Sequence, residues 1–190
     1  MLEHVQCMEA RMSNKMRFYF NCILAFDSAV CVTVSHSNQY RIIRHWFRLV
    51  SRLGDGVFWY TLMAAIMLTQ QANSLICVVH MLSAGLTGTL IYKWLKHKTH
   101  RQRPFQVRQD VWCVGKPLDH FSFPSGHTLH AVTFSVIAIN YYPQLAIILI
   151  PFTLMIAMSR VILGLHYPSD VLAGAGLGYL IALLSLQLFI

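Results

Sequence analysis

The chain has 190 residues, enough for one domain. It is 56% hydrophobic and only 12% charged, against a charged share of about 25% in soluble proteins, so it is neither an ordinary soluble globule nor a disordered tail. Mean hydropathy is +0.51; so short a chain has too little interior to hide its apolar residues, and the solvent they require is a bilayer.

The net charge is +8, yet the 15 basic residues fall into blocks at Arg11–Arg17, Arg41–Arg52 and Lys93–Lys116, plus the isolated Arg160, with long uncharged stretches between. That distribution excludes a nucleic-acid-binding module, and no protein partner is inferable. Five cysteines, Cys7, Cys22, Cys31, Cys77 and Cys113, contain no CxxC pair, so neither a disulfide framework nor a zinc site is expected.

In chain order, residues 18–34 form the weakest candidate span because they carry Asn21 and Asp27. If this stretch crosses the bilayer, Asp27 is a functional candidate; if it lies in the interface, Asp27 is merely solvated. Segment 41–52, RIIRHWFRLVSR, puts Arg41, Arg44, Arg48 and Arg52 on one helical face, the pattern of an amphipathic helix in the headgroup layer. Residues 51–56, SRLGDG, read as a helix stop and turn with Asp55 as a capping residue. A short apolar stretch at 57–70 reaches spanning length if extended back through Gly54 and Gly56. Residues 74–95, 125–142, 144–163 and 171–190 are spans by length and apolarity. No cleavable signal peptide is expected. The expectation is an all-α integral membrane bundle of about six transmembrane helices. Counting spans puts the 35–56 segment, the long polar loop 96–124 and the 164–170 connection on one face.

Three polar clusters stand on that face. The first, KHKTHRQRP, holds Lys96 and Arg103; the second, FPSGH, opens an apolar helix with Ser125, Gly126 and His127; the third, SRVILGLHYPSD, holds Ser159, Arg160, His166 and Asp170. Lys96, Arg103 and Arg160 call for an anion, and Arg suits the bidentate geometry of phosphate. Ser125 and Gly126 at a helix start add backbone donors and the helix dipole. His166 with Asp170 four residues on can supply a nucleophile and its orienter, and His127 an acid. His97 with His100, and His127 with His130, could suggest a metal site by spacing, but HExxH and nearby acidic ligands are lacking, so no metal or cofactor is expected. His130 reads as packing behind His127, and His80 as a hydrogen-bonded bundle histidine.

The order K-x6-R-P, P-S-G-H and S-R-x5-H-x3-D resembles the three-part signature of the type 2 phosphatidic acid phosphatases (PAP2 superfamily), here Lys96…Arg103-Pro104, Pro124-Ser125-Gly126-His127 and Ser159-Arg160…His166…Asp170. The motifs cover residues 96–170 and leave 1–56 outside. The resemblance implies a PAP2/haloperoxidase-like core in a single domain, 1–190. Within it, 57–190 would be the catalytic helical core and 1–56 a weak span plus a basic amphipathic segment. It implies His166 as nucleophile, Asp170 as its orienter, His127 as acid and then base, and Lys96, Arg103, Ser125, Gly126 and Arg160 as phosphate ligands. The implied substrate is a lipid phosphate or diphosphate drawn from the bilayer: undecaprenyl diphosphate, phosphatidylglycerol phosphate, phosphatidic acid or lipid A. A lipid hydroxyl in place of water would make the same site a phosphotransferase, and a channel or scramblase would need the cations but not the two histidines. Family likeness puts the site on the periplasmic face of a bacterial inner membrane. The positive-inside rule points to the other face, because at least 12 of the 15 basic residues share the side of the site.

Overall fold

The computed structural model describes residues 14–69, 73–115 and 119–189; Cys7 and Lys116 lie outside them. The chain is helical: α1 Asn14–Ser35, α2 Arg41–Arg52, α3 Phe58–Leu68, α4 Ser74–Thr99, the short α5 Pro104–Val107, α6 Gly126–Tyr141, α7 Ala146–Ile162 and α8 Pro168–Phe189. A 3-10 turn, His36–Gln39, precedes α2, and a π-helical turn, Leu53–Val57, joins α2 to α3.

Among the described residues four stretches are long and apolar enough to cross a membrane: Arg17–Gln39, Ser74–Val107, Pro143–Ile162 and Pro168–Leu188. The doubtful first stretch is therefore a full-length helix. The helix expected at 57–70 is 11 residues long, shortened because the two glycines before it open a π-turn instead of extending it. The apolar side chains are turned outward: Leu86 and Leu90 on α4, Ile147 and Leu154 on α7, and Leu172 and Leu188 on α8 are all more than half exposed. In water such a belt would be costly; against acyl chains it is the stable arrangement.

Helix α6 is the axis of the bundle, packed on α8, α4 and α7. Buried side chains surround it, among them Leu129, Ala131, Phe134, Ile137 and Ala138. Its contact with α8 is backbone-close, since a Cβ added at Gly174 would strike the carbonyl of Ser125 and one at Gly178 that of Leu129. Small residues four apart allow such an approach where lipid supplies no hydrophobic drive between helices. The hydroxyls buried here are satisfied: Thr133 donates to Leu129 O at 2.9 Å and to Gly178 O at 3.0 Å. Against this axis pack Trp59 and Met63 of α3, Met81 and Ala84 of α4, and Phe152 and Ile156 of α7. His80 is fully buried, with Nε2 2.8 Å from Ser185 Oγ and Nδ1 3.3 Å from the Tyr141 hydroxyl.

Candidate active site

Lys96 stands in the last turn of α4 beside His97 and Lys98, where cations meet the negative end of the helix dipole. The helix stops at His100, whose left-handed φ of 48° turns its N–H onto Lys96 O at 3.1 Å. Arg103 precedes Pro104 and is held extended (φ −78°, ψ 155°), as the proline ring demands, while Pro104 opens α5. That bend turns the guanidinium inward. Arg103 Nη1 donates to Leu165 O at 2.7 Å and lies 3.3 Å from His166 Nε2; Nη2 donates to Asp119 Oδ1 at 2.8 Å. Lys96 Nζ donates to both Asp119 oxygens at 2.7 Å. Burial alone would raise the Asp119 carboxyl, but the Lys96 bond and charge and the Arg103 charge outweigh it and hold it below the usual carboxylate range.

Ser125 is the N-cap of α6, in extended conformation (φ −72°, ψ 106°). Its backbone N–H donates to Asp170 O at 3.0 Å, and its buried hydroxyl lies 3.0 Å from Thr128 Oγ1. Gly126 and His127 follow in the first turn of α6, with the ring of Tyr92 3.5 Å from where a Cβ on Gly126 would be. His130, one turn on, bonds Gly126 O through Nδ1 at 2.8 Å and Thr89 Oγ1 through Nε2 at 3.0 Å.

Arg160 ends α7 and is 2% exposed. Its Nη1 donates to Ser51 Oγ at 2.5 Å, while its buried Nε has no hydrogen-bond partner among the described residues. After it the chain doubles back, Leu165 N and His166 N both donating to Arg160 O at 3.0 and 3.1 Å. The turn uses Gly164 at φ +71°, where a side chain would meet Trp112 O. This places His166 almost fully buried, with Nε2 toward Arg103 and Nδ1 3.7 Å from Asp170 Oδ2, an ion-pair separation beyond hydrogen-bond range. Burial, and then the charges of Arg103, Arg160 and Lys96, push the His166 imidazole well below its ordinary value, so the ring is neutral at physiological pH. Asp170, in the first turn of α8 after Pro168, accepts from Tyr167 N at 2.9 Å, from Arg101 Nη1 at 2.6 Å and from the Ser122 hydroxyl.

These elements enclose one cavity of about 310 Å³. Of the residues singled out in the sequence, Lys96, Arg103, Gly126, His127, Arg160 and His166 line it, while Ser125 and Asp170 stand behind them. Lysine and two arginines outnumber the two carboxylates on the wall, Asp55 and Asp119. Below this polar end the wall continues with Trp59, Met63, Leu82, Leu86 and Phe134.

Asp119, Arg101 and the role of Asp55 were not evident in the sequence, whereas Asp27 was already a functional candidate there. Asp55, expected as a cap, instead meets His127 Nε2. Asp119 joins Lys96 to Arg103. Arg101 spans Asp27 (Nη2, 2.7 Å) and Asp170, and its guanidinium lies 4.2 Å from the Tyr167 ring centre. Asp27, 1% exposed, also accepts from Ser169 N at 3.0 Å and from the Ser169 hydroxyl. The available signal was the rarity of acids: the chain has only seven, and one placed in a basic loop or an apolar helix requires a cationic partner.

Known proteins share this fold. A family model described as the PAP2 superfamily matches residues 74–190, and the chain belongs to that superfamily. An undecaprenyl-diphosphatase of Sulfolobus acidocaldarius is 28% identical over 153 residues, 80% of this chain and 73% of that protein. A transmembrane PAP2-type phosphatidylglycerolphosphate phosphatase from Bacillus subtilis superposes with a TM-score of 0.70 at 25% identity, over 98% of this chain and 92% of that one. The fold is also that of Aquifex aeolicus LpxE, with a TM-score of 0.73 over 87% of this chain and 95% of that one at 23% identity. With its outward apolar belt, the chain is an integral membrane protein.

Proposed function

We propose that the chain is a membrane phosphatase that removes phosphate from a lipid phosphate or diphosphate, such as undecaprenyl diphosphate, phosphatidylglycerol phosphate, phosphatidic acid or lipid A. One observation carries this reading: a single cavity joins three cations and two histidines to a wall of Trp59, Met63, Leu82, Leu86 and Phe134. The polar end suits a phosphoryl group and the apolar end a hydrocarbon tail. Leu82 and Leu86 are at least half exposed on the outer surface of α4, so a tail would pass directly between cavity and bilayer.

In the first step His166 Nε2 attacks the terminal phosphorus, its bond to the lipid alkoxide oxygen (or, in a diphosphate, to the bridging oxygen of the lipid monophosphate) breaks, and His127 gives that departing oxygen a proton. Lys96, Arg103 and Arg160, with the backbone at Ser125 and Gly126, hold the other phosphoryl oxygens. Asp170, 3.7 Å from Nδ1, steadies the ring as it becomes cationic. In the second step water loses a proton to His127 and attacks the phosphohistidine, freeing phosphate and His166. Fixed cations supply the positive charge this chemistry needs, so no cofactor enters the scheme. The chain acts as one domain: residues 57–190 are the catalytic helical core, and 1–56 add a span and a basic helix. The reading places it in a bacterial inner membrane with the cavity open to the periplasm, supported by family likeness.

The test is phosphate release by detergent-purified protein over the four lipids, in EDTA, with His166→Ala as control. Release from one of them, reduced at least about a thousandfold in the variant, is expected for loss of a covalent nucleophile. Full activity in the variant would sink the mechanism. Transfer of label to a lipid hydroxyl without free phosphate would instead identify a phosphotransferase.

A further inference from the structure

Residues 51–56 lie outside the motifs that carry the family resemblance, yet they reach the cavity twice. Ser51 accepts from Arg160 Nη1 at 2.5 Å, and Asp55 meets His127 Nε2. The local backbone is shaped for this. Gly56 has φ +139°, a conformation that residues with a Cβ rarely adopt. Gly54 is buried against α7, where a Cβ would lie 3.1 Å from Ile156 Cδ1. The π-turn Leu53–Val57 is thus pinned to α7 on one side and free to hold Asp55 over the cavity on the other.

His127 needs such a partner. Its ring shares the cavity wall with the cation Arg160 and with His130, and with Lys96 and Arg103 beyond. An imidazole that must carry a proton before donating it to a leaving oxygen is opposed by every one of those cations. The other described carboxylates are committed elsewhere: Asp119 to Lys96 and Arg103, Asp170 to Arg101, Asp27 to Arg101, and Asp110 to Arg108. Asp55 is the carboxylate that meets His127.

We propose that Asp55 is a positioning residue for His127. By accepting from Nε2–H it fixes the ring's tautomer and orientation, offsets the charge the ring carries before it donates, and leaves Nδ1 to give and take the proton. The inference rests on the reading of His127 as acid and base given above. The same arrangement serves both steps. With Nε2–H held by Asp55, Nδ1–H protonates the lipid oxygen as its bond to phosphorus breaks, and the emptied Nδ1 then takes the proton of the attacking water.

The test compares two substrates that differ in their need for that proton. A dialkyl glycerol alkoxide leaves poorly unless protonated, whereas a nitro-substituted phenolate leaves well without help. Asp55→Asn should lower kcat/KM on dioctanoyl phosphatidic acid by about tenfold to a hundredfold, within the usual worth of a general acid. The loss on p-nitrophenyl phosphate should be at least about tenfold smaller. Asp55→Glu, which keeps the carboxylate one methylene further out, should recover part of the loss and also covers the case in which the Asn variant fails to fold. An equal loss on both substrates in both variants would mark a structural role and overturn the proposal, as would no loss on either. His127→Ala separates the two levels. If it shows the substrate-selective loss while Asp55→Asn does not, only this inference fails. If His127→Ala leaves phosphatidic acid cleavage intact, the acid role of His127 fails and takes this inference with it.

Discussion

His166 is surrounded by positive charge. Buried, with Arg103 Nη1 3.3 Å from Nε2 and with no hydrogen-bond partner for Nδ1 among the described residues, its ring resists protonation in the folded chain. The consequence for stability has a definite sign. The unfolded chain binds a proton at this histidine near pH 6.5, about the ordinary value, and the folded chain does so only well below that. The His166 contribution is thus harmless above about pH 6.5, and stability is lost as the pH falls below it, because only the unfolded state takes up the proton. Thermal midpoints in detergent should therefore drop less between pH 7 and pH 5 for His166→Asn than for the native chain; parallel curves would contradict the buried neutral ring. Asp119 is the opposite case. It stays ionised because Lys96 and Arg103 hold it, and it aligns two cations that would otherwise repel each other, since one carboxylate bonds both.

At the scale of elements, the close crossing of α6 and α8 positions the site, since Ser125 N bonds Asp170 O where the two helices begin. Their approach depends on Gly174 and Gly178. Gly178→Val would force its side chain onto the carbonyl of Leu129 and should cost about 1–3 kcal/mol, the usual range for overpacking. Gly176→Ala, where an added Cβ meets nothing within 4 Å, is the matched control and should leave the thermal midpoint within about a degree, as a neutral surface change does. Equal effects of the two would remove the close crossing as the cause. Helix α2 shows a division of a different kind. Val50 is buried toward the bundle while Ile42, Trp46 and Leu49 are exposed, so the basic helix also offers apolar side chains to the surrounding medium, as an interfacial helix does.

The whole molecule gathers its polar chemistry at one end. Segments 51–55, 96–127 and 159–170 meet at one cavity, on the face that counting spans assigns them. Which way that face points decides whether the enzyme works on lipids from outside or inside the cell. Cys113 is exposed in the loop between α5 and α6, and a chain keeping it as sole cysteine reports the answer. Labelling by a membrane-impermeant maleimide in intact spheroplasts is expected for a periplasmic cavity. Labelling only in inverted vesicles would reverse the orientation and vindicate the positive-inside rule.

Although the helix expected to span at 125–142 is only 16 residues long, sequence alone establishes the solvent, the helical class, the spans 74–95, 144–163 and 171–190, and six of the residues that line the cavity. Those are local or compositional properties: apolar length sets a span, and three short motifs name the cations and histidines whatever their partners. The tertiary structure alone decided the pairings. Asp27 reaches Arg101 across 74 positions and Asp55 reaches His127 across 72, and no periodicity encodes contacts so distant. It also decided that Ser125 and Asp170 stand behind the cavity while Asp55 and Asp119 line it. Side-chain direction depends on the turn that carries it: the π-turn at Gly54–Gly56 and the reversal at Gly164 aim their neighbours, and both are fixed only when α7 packs against the segments that meet it.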